Sequence, residues 1–338
     1  MTERTIRENE AGQRLDKYLR KYLKEAPDSF LYKMLRKKNI TLNGRKASGS
    51  EQLHMGDHIK LFLSDETMDK FSGKIPDREP SGESKPEYEK AFQRFGRLEI
   101  IFENHHVLVV NKPAGILTQK AEPDDLSLNE WLIGFLLDSG AVTDEELRTF
   151  KPSVCNRLDR NTSGMVVCGK TLAGSQQMSR LLKERSLHKY YRFFVRGTIS
   201  EPSEIGGYLR KDERTNKVKI TSSPENGAPV LTKYRPLKQY AEMTLLEAEL
   251  VTGKTHQIRS HFAAAGHPLL GDYKYGDRNF NDRYRKKYRI NYQLLHAFRL
   301  EFPVMEKEFA DMSGLVLTAQ PPAVFRIVDE NESSQGLR

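Results

Sequence analysis

The sequence predicts an α+β protein, a largely antiparallel mixed sheet carried behind a small α/β unit. Three observations lead there. From Leu98 onward strands dominate and helices do not alternate with them regularly, which argues against a doubly wound parallel sheet. No G-x-G-x-x-G or Walker segment occurs, so no nucleotide cofactor is indicated. The first 63 residues carry their own helix and strand periodicities and are set off by a polar, Ser/Gly/Pro-rich stretch. The expected division is therefore 1–63 as a first domain, 64–95 as a flexible linker, 96–328 as the main domain and 329–338 as a polar, frayed tail.

Composition narrows the class. At 338 residues the chain is comfortable for two domains, with 30% charged and 37% apolar residues. No apolar run approaches the roughly 20 residues that span a bilayer, and the charged N-terminus lacks a signal-peptide core. A cytoplasmic chain with no membrane partner is expected. Cys155 and Cys168 make no disulfide framework and show no zinc spacing with the nine histidines, so no metal is expected. The net charge of +9 and pI near 9.3 favour a polyanionic partner, nucleic acid being the commonest. Residues 1–64 hold 14 Lys and Arg against 8 Asp and Glu, which places +6 of the +9 in the first fifth of the chain. A concentrated charge of this kind suits a binding module.

Leu15, Tyr18, Leu19, Tyr22 and Leu23 recur at helical spacing over 13–24, with Arg14, Lys17, Arg20, Lys21 and Lys24 on the opposite side. Ser29 is placed to cap a second helix that carries Leu31, Met34 and Leu35 and ends in Arg36-Lys37-Lys38. Ile40 and Leu42 then alternate into the Asn43-Gly44 hairpin turn, Gly56-Asp57 makes another turn, and Ile59, Leu61 and Leu63 finish with period two. Beyond 95, Val107–Val110 reads as a central strand ended by the rigid Asn111–Gly115 turn. Residues 127–137 and Thr171–Arg185 have helical spacing. Met165–Cys168, residues 188–197, two runs within 228–250 and Leu295–Leu300 read as strands. A Gly turn followed by a helix is expected over Leu250–His261. Asn279–Tyr292 is polar and basic, and Val324–Ile327 is a possible last element.

The chemistry concentrates in Asn156–Gly164, NRLDRNTSG. It sets Asp159 between Arg157 and Arg160 on a polar loop ahead of an apolar strand, a plausible reaction centre. The competing reading is a surface turn with solvated arginines. Lys189–Gly197 and Leu250–His261 add further polar groups.

Together the segments VNKPAGILTQ, RLDRNTSG, K-x-Y-x-x-x-V-x-G, TGKTHQIRSH, LLGDYKYG and LHA resemble the RluA-type family of RNA pseudouridine synthases over roughly residues 98–300. The first 60 residues resemble a ribosomal protein S-four-like RNA-binding domain, through Arg14-Leu15-Asp16, Lys33–Lys38, Asn43-Gly44 and Gly56-Asp57. The resemblance implies isomerisation of uridine in structured RNA, which needs no redox partner, metal or small-molecule cofactor. It implies Asp159 as the catalytic carboxylate, Arg259 as its salt-bridge partner and Tyr191 as the tyrosine that stacks on uracil and relays a proton. Arg157 resembles the residue that enters the stack vacated by the flipped base. Arg36, Lys37, Lys38, Lys254 and His256 are the further RNA-binding candidates. Gln257 and His261 are expected to organise the pocket, and Lys112 and Thr162-Ser163 to shape loops.

Two positions depart from the family: Asn156 where many relatives have His, and Lys254 where many have Arg. Both bear on RNA contacts rather than on the chemistry. Large-subunit (23S) ribosomal RNA is the expected partner and transfer RNA the alternative. A non-catalytic RNA-binding or ribosome-assembly factor is the reading from another class, and a hydrolase built on Asp159 and His256 lacks an identifiable second pocket acid. The oligomeric state is left open, a monomer being the default.

Overall fold

The structure, a computed structural model of the chain, describes residues 1–72, 86–212, 217–221, 224 and 227–335. In the N-terminal unit, β1 (Thr2–Thr5), β2 (Ile40–Leu42), β3 (Arg45–Lys46) and β4 (His58–Leu61) form an antiparallel sheet in the order β1-β4-β2-β3. Helices α1 (Leu15–Tyr22) and α2 (Asp28–Arg36) share one core with this sheet, through Leu15, Tyr18, Leu19, Leu31, Leu35, Ile40, Ile59 and Leu61. Asn43 and Gly44 both take positive φ (51° and 72°), so the two-residue hairpin forms where the Asn-Gly pair anticipates it. Ser29 is not the cap of α2: Pro27 holds that position with extended backbone, and Asp28 opens the helix. Arg36, Lys37 and Lys38 stand exposed at the end of α2.

The linker expected over 64–95 contains two packed helices. Helix α3 (Asp65–Ser72) belongs to the N-terminal core, with Met68 buried and the Phe71 ring 4.5 Å from that of Phe30. Helix α4 (Pro86–Phe95) buries Tyr88 and Ala91 against α5 (Leu128–Asp138). The approach is closest at Gly134, where a β-carbon would lie 2.4 Å from the Tyr88 carbonyl oxygen. The polar composition of this stretch hides two short apolar stripes. The remainder of that expectation, 73–85, falls outside the described residues.

The main sheet is mixed and runs across eleven strands among the described residues. These are β5 (Glu99–Glu103), β6 (Val107–Lys112), β7 (Ser153–Val154), β8 (Ser163–Gly169), β9 (His188–Arg196), β10 (Ser203–Asp212), β11 (Lys217–Thr221), β12 (Ala228–Gln239), β13 (Met243–Leu250), β14 (Leu295–Glu301) and β15 (Val316–Thr318). The order is β11-β10-β12-β13-β9-β14-β8-β6-β5, with β7 added on β8 and β15 on β14. The α+β, largely antiparallel fold class holds, since β14 and β8 make a parallel pair and the others are antiparallel. Strand β6 reads as unbroken apolar sequence because both faces are covered. Leu108 and Val110 face α5, while Val107 and Val109 face α6 (Leu172–Glu184) and the Met305–Met312 segment.

The parallel crossing positions the site. Register pairs His296 with Ser163 and Ala297 with Gly164. Gly164 takes φ +113°, and a β-carbon there would lie 2.4 Å from the Ala297 carbonyl oxygen. No other residue fits. The loop ahead of β8 is thereby held at the centre of the sheet, facing α7 (Gln257–Ala264).

Two late stretches are more ordered than anticipated. The basic run near 279–292 is helix α8 (Arg278–Tyr288), capped by Asp277, which accepts the Phe280 N–H at 2.9 Å. The expected tail at 329–338 is, as far as Gln335, the end of α9 (Ala323–Gln335). Asp329 there accepts from Lys238 Nζ at 2.6 Å and Tyr240 OH at 2.8 Å, and Glu332 accepts from Lys287 and Tyr288. Side-chain partners on β12, on the turn between β12 and β13 and on α8 hold a sequence whose own composition is that of a frayed end.

Candidate active site

Asp159 sits on the 155–162 loop between β7 and β8, its side chain 22% exposed. The loop is fastened from below. Thr118 Oγ1 donates to the Leu158 carbonyl at 2.7 Å and accepts the Leu158 N–H at 3.1 Å. Lys112 is fully buried, and its ammonium donates to the carbonyls of Pro113, Ile116 and Arg160 at 2.9–3.1 Å. That one cation ties the 113–116 turn to the Asp159 loop, the loop-shaping role expected of it. Burial pushes its pKa down to about 7.

Arg259, from α7, supplies the counter-charge. Its Nη1 donates to Asp159 Oδ2 at 3.0 Å. Nε and Nη2 form a two-point pair with Asp272 at 2.7 and 3.0 Å. Asp272 is 1% exposed. Burial by itself would raise its pKa, but the Arg259 guanidinium and the amides of Tyr275 and Lys274 hold it below the usual carboxylate value. Asn281 on α8 completes the support: its Nδ2 donates to the Asp272 carbonyl and its Oδ1 accepts the Gly271 N–H. The guanidinium plane is thus fixed before any substrate arrives.

His256 approaches the same oxygen from the other side, its Nε2 3.7 Å from Asp159 Oδ2. It holds a left-handed backbone (φ 55°) immediately before α7, a strained conformation for a non-glycine residue. Its Nδ1 lies 2.9 Å from Tyr275 OH, which accepts the Val218 N–H of β11 at 3.0 Å. An imidazole that accepts the Tyr275 proton at Nδ1 carries its own on Nε2, facing Asp159. Burial lowers the His256 pKa against the pull of Asp159, which favours this neutral form.

Tyr191 projects from β9 into the same wall. Burial, and then the Asp159 charge, push its hydroxyl above the usual phenol value, so it stays protonated at neutral pH. Asp159, Tyr191, Arg157, Lys254 and His256 line a cavity of about 990 Å³, at the upper end of the roughly 300–1,000 Å³ of ligand sites. A small recess continuous with it reaches Arg259 and Leu295. Arg157 is exposed at the cavity. Arg160 is no partner of Asp159: its side chain reaches Asp125 at 3.9 Å and its carbonyl serves Lys112.

Other expected residues lie elsewhere or brace the walls. Arg36, Lys37 and Lys38 do not line this cavity. Asn156 lines the cavity, and its side chain also braces β8 by accepting the Val167 N–H at 2.7 Å. Gln257 is a loop brace, bonded to Thr252, Lys254 N, Leu231 O and Thr232. His261 is buried against Thr232, and His296 bridges Ser163 and the Ala319 carbonyl. Asp272, Tyr275, Lys183 and Arg185 escaped the sequence reading. LLGDYKYG was singled out there, yet its Gly-Asp reads as an ordinary turn. Asp272 also removes the hydrolase alternative: it is the second buried acid, but both its oxygens are already engaged.

Comparison with known proteins decides the family. The chain is 32% identical over 313 residues to a ribosomal large subunit pseudouridine synthase C of Vibrio cholerae serotype O1, covering 90% of each protein. The chain belongs to the RNA pseudouridine synthase family. The RNA pseudouridylate synthase family model matches residues 106–264. The protein of the same name from Escherichia coli strain K12 is 30% identical, over 88% of this chain and 87% of that one. The solved structure of human RNA pseudouridylate synthase domain containing 4 aligns with TM-score 0.53 at 22% identity, over 70% of this chain and 92% of that one. That likeness supports the fold. As a member of this isomerase family the synthase has Asp159, Arg259 and Tyr191 gathered at one cavity, from segments that the sequence spreads over 100 residues.

Proposed function

We propose that this synthase isomerises uridines of large-subunit ribosomal RNA to pseudouridine, with Asp159 as the catalytic carboxylate. The observation that carries the reading is the shared guanidinium of Arg259, which keeps Asp159 paired at Oδ2 within a partly closed cavity. Both contacts to that carboxylate, from Arg259 and His256, fall on Oδ2. Oδ1 is the oxygen available to the ribose.

The reaction is balanced without a second substrate. The N1–C1′ bond breaks, and Asp159 takes up the electron deficiency at the sugar. The uracil turns, C5 bonds to C1′, the C5 proton leaves, and N1 ends protonated. The Tyr191 ring bounds the space in which the base turns, and its phenol serves as the proton carrier. Arg157, at the cavity mouth, offers a planar guanidinium to the stack the base has left, against an unstacking cost of about a few kcal/mol. Lys254, with Lys183 and Arg185 on the far wall, faces RNA phosphates. The exposed Arg36-Lys37-Lys38 end of α2 marks the S-four-like unit as a second RNA anchor. The names of the bacterial relatives support ribosomal RNA as the substrate, and the cytoplasm is proposed as the compartment where that RNA would be met. Among the described residues no helix is long and apolar enough to cross a membrane.

The test is a pseudouridine map of cellular RNA from cells with the gene, without it, and complemented by Asp159→Asn. The expected result is loss of specific large-subunit pseudouridines, restored by wild type and not by the variant. Loss confined to transfer RNA would overturn the substrate assignment, and no loss at all would favour a non-catalytic role.

A further inference from the structure

The N-terminal unit touches the main domain through a 3-10 turn at Glu8–Glu10. Glu10 is buried there. It accepts the Thr149 hydroxyl at 2.7 Å and the Arg7 N–H at 3.0 Å. Arg4 pairs with Glu145, and the Arg148 guanidinium lies 5.3 Å from the Tyr22 ring centre. One end of the turn is therefore held. The other end presents Glu8 to the β5–β6 connection, Asn104-His105-His106.

Three potential donors converge at that point. Glu8 Oε1 lies 2.8 Å from His105 Nε2, and one donor atom each of Glu8, His105 and His106 falls within 4.8 Å of the others. The two imidazoles stand edge to face, ring centres 4.7 Å apart. Their turn is pre-formed, since Asn104 Oδ1 accepts the N–H groups of His106 and Val107. His106 is oriented from behind: its Nδ1 meets Thr171 Oγ1 at 2.8 Å, the same hydroxyl that caps α6 by accepting the Gly174 N–H. When Nδ1 carries the proton to Thr171, the Nε2 lone pair is left for a ligand. Metal-binding histidines are ordinarily fixed in this way by a second hydrogen bond.

A simple ion pair between Glu8 and His105 would require neither the neighbouring His106 nor its brace. We propose that Glu8, His105 and His106 form a site for a divalent transition metal, zinc by the character of its two imidazoles and one carboxylate, that clamps the N-terminal unit to the main domain. Bonds of about 2.0–2.2 Å bring tetrahedral ligand atoms to roughly 3.4 Å apart. Glu8 and His105 are both exposed, so their side chains are free to turn toward that spacing. Open coordination positions are left to water. Sequence spacing cannot indicate such a site, because Glu8 and His105 lie 97 residues apart. The clamp fixes the basic end of α2 relative to the Asp159 cavity, and so the geometry in which both meet one RNA.

The test uses the full-length, tag-free protein titrated with zinc chloride near neutral pH in competition with a chromophoric chelator, a readout independent of RNA and of the proposed activity. The expected result is one equivalent bound per chain, weakened at least tenfold by His105→Ala and by Glu8→Gln, with thermal midpoints of the zinc-free variants unchanged. Failure of the wild type to bind a stoichiometric equivalent would overturn the site. Equal affinity in Glu8→Gln would overturn the clamp, since the metal would then be held without the N-terminal unit.

Discussion

Arg259 divides three nitrogens between two carboxylates, and this governs how the site responds to substitution. Removing the side chain strands Asp272 as a buried, unpaired charge, at about 3–5 kcal/mol. Arg259→Ala therefore loses stability as well as turnover. Arg259→Lys is the cleaner test: the charge remains, the fork does not, and one ammonium cannot serve both partners. Turnover should fall about 10–100-fold while RNA binding stays within a few-fold, read as a kcat loss at nearly constant KM. Tyr275→Phe keeps the ring beside Arg259 and removes the hydroxyl between Val218 and His256. Its expected effect is a loss of about 1 kcal/mol in stability and roughly tenfold in kcat; an unchanged kcat would show that the His256 tautomer does not matter. His261 and His296 are buried neutral, burial lowering each from 6.5 to about 4. Between those values the unfolded chain binds more protons than the native one, so stability falls as pH drops from about 6.5 toward 4. The limit is about 1.4 kcal/mol per pH unit for each histidine. Urea unfolding at several pH values checks this, and a His296→Gln variant should show a shallower slope.

Among the elements, the parallel β14–β8 crossing decides where the candidate reaction centre sits. Gly164→Ala places a β-carbon against the Ala297 backbone at positive φ, and should cost roughly 2–6 kcal/mol. A urea midpoint near wild type would contradict the close approach. The Asp159 loop was legible in sequence because its polar residues are contiguous and lead into an apolar strand. The unbroken apolar run of β6, the Asn43-Gly44 hairpin and the helical spacing of α1 and α5 were legible for the same reason: each pattern is local. Asp272 was not, since its meaning lies in a partner on another element. Strands β10 and β11 lie at the edge of the sheet, where Arg210, Lys211 and Lys219 interrupt any apolar run. Helix α8 buries little beyond Phe280, Asn281 and Tyr284, and its polar, basic majority gave no element to read. Helices α3 and α4 were lost in the Ser, Gly and Pro around them.

Across the whole molecule, charge and chemistry are separated. Most of the net positive charge lies in the first 64 residues, while the candidate reaction centre lies in the sheet of the second part. Arg36→Ala/Lys37→Ala/Lys38→Ala should weaken RNA binding about uniformly and flatten its salt dependence by roughly two to three released counterions, with turnover of saturating RNA unchanged. An unaltered salt slope would remove α2 from the RNA interface. The docking of Glu10 and Arg4 on Thr149 and Glu145 makes the N-terminal unit part of the folded body, so substitution tests it better than deletion.

In the proposed mechanism Asp159 carries the chemistry and little of the binding. Single-turnover pseudouridine formation by Asp159→Asn on ribosomal RNA, with RNA affinity measured alongside, tests it most directly. An intact fold, affinity within a few-fold of wild type, and a rate reduced on the order of a thousandfold or more are expected. A rate near that of wild type would contradict the mechanism.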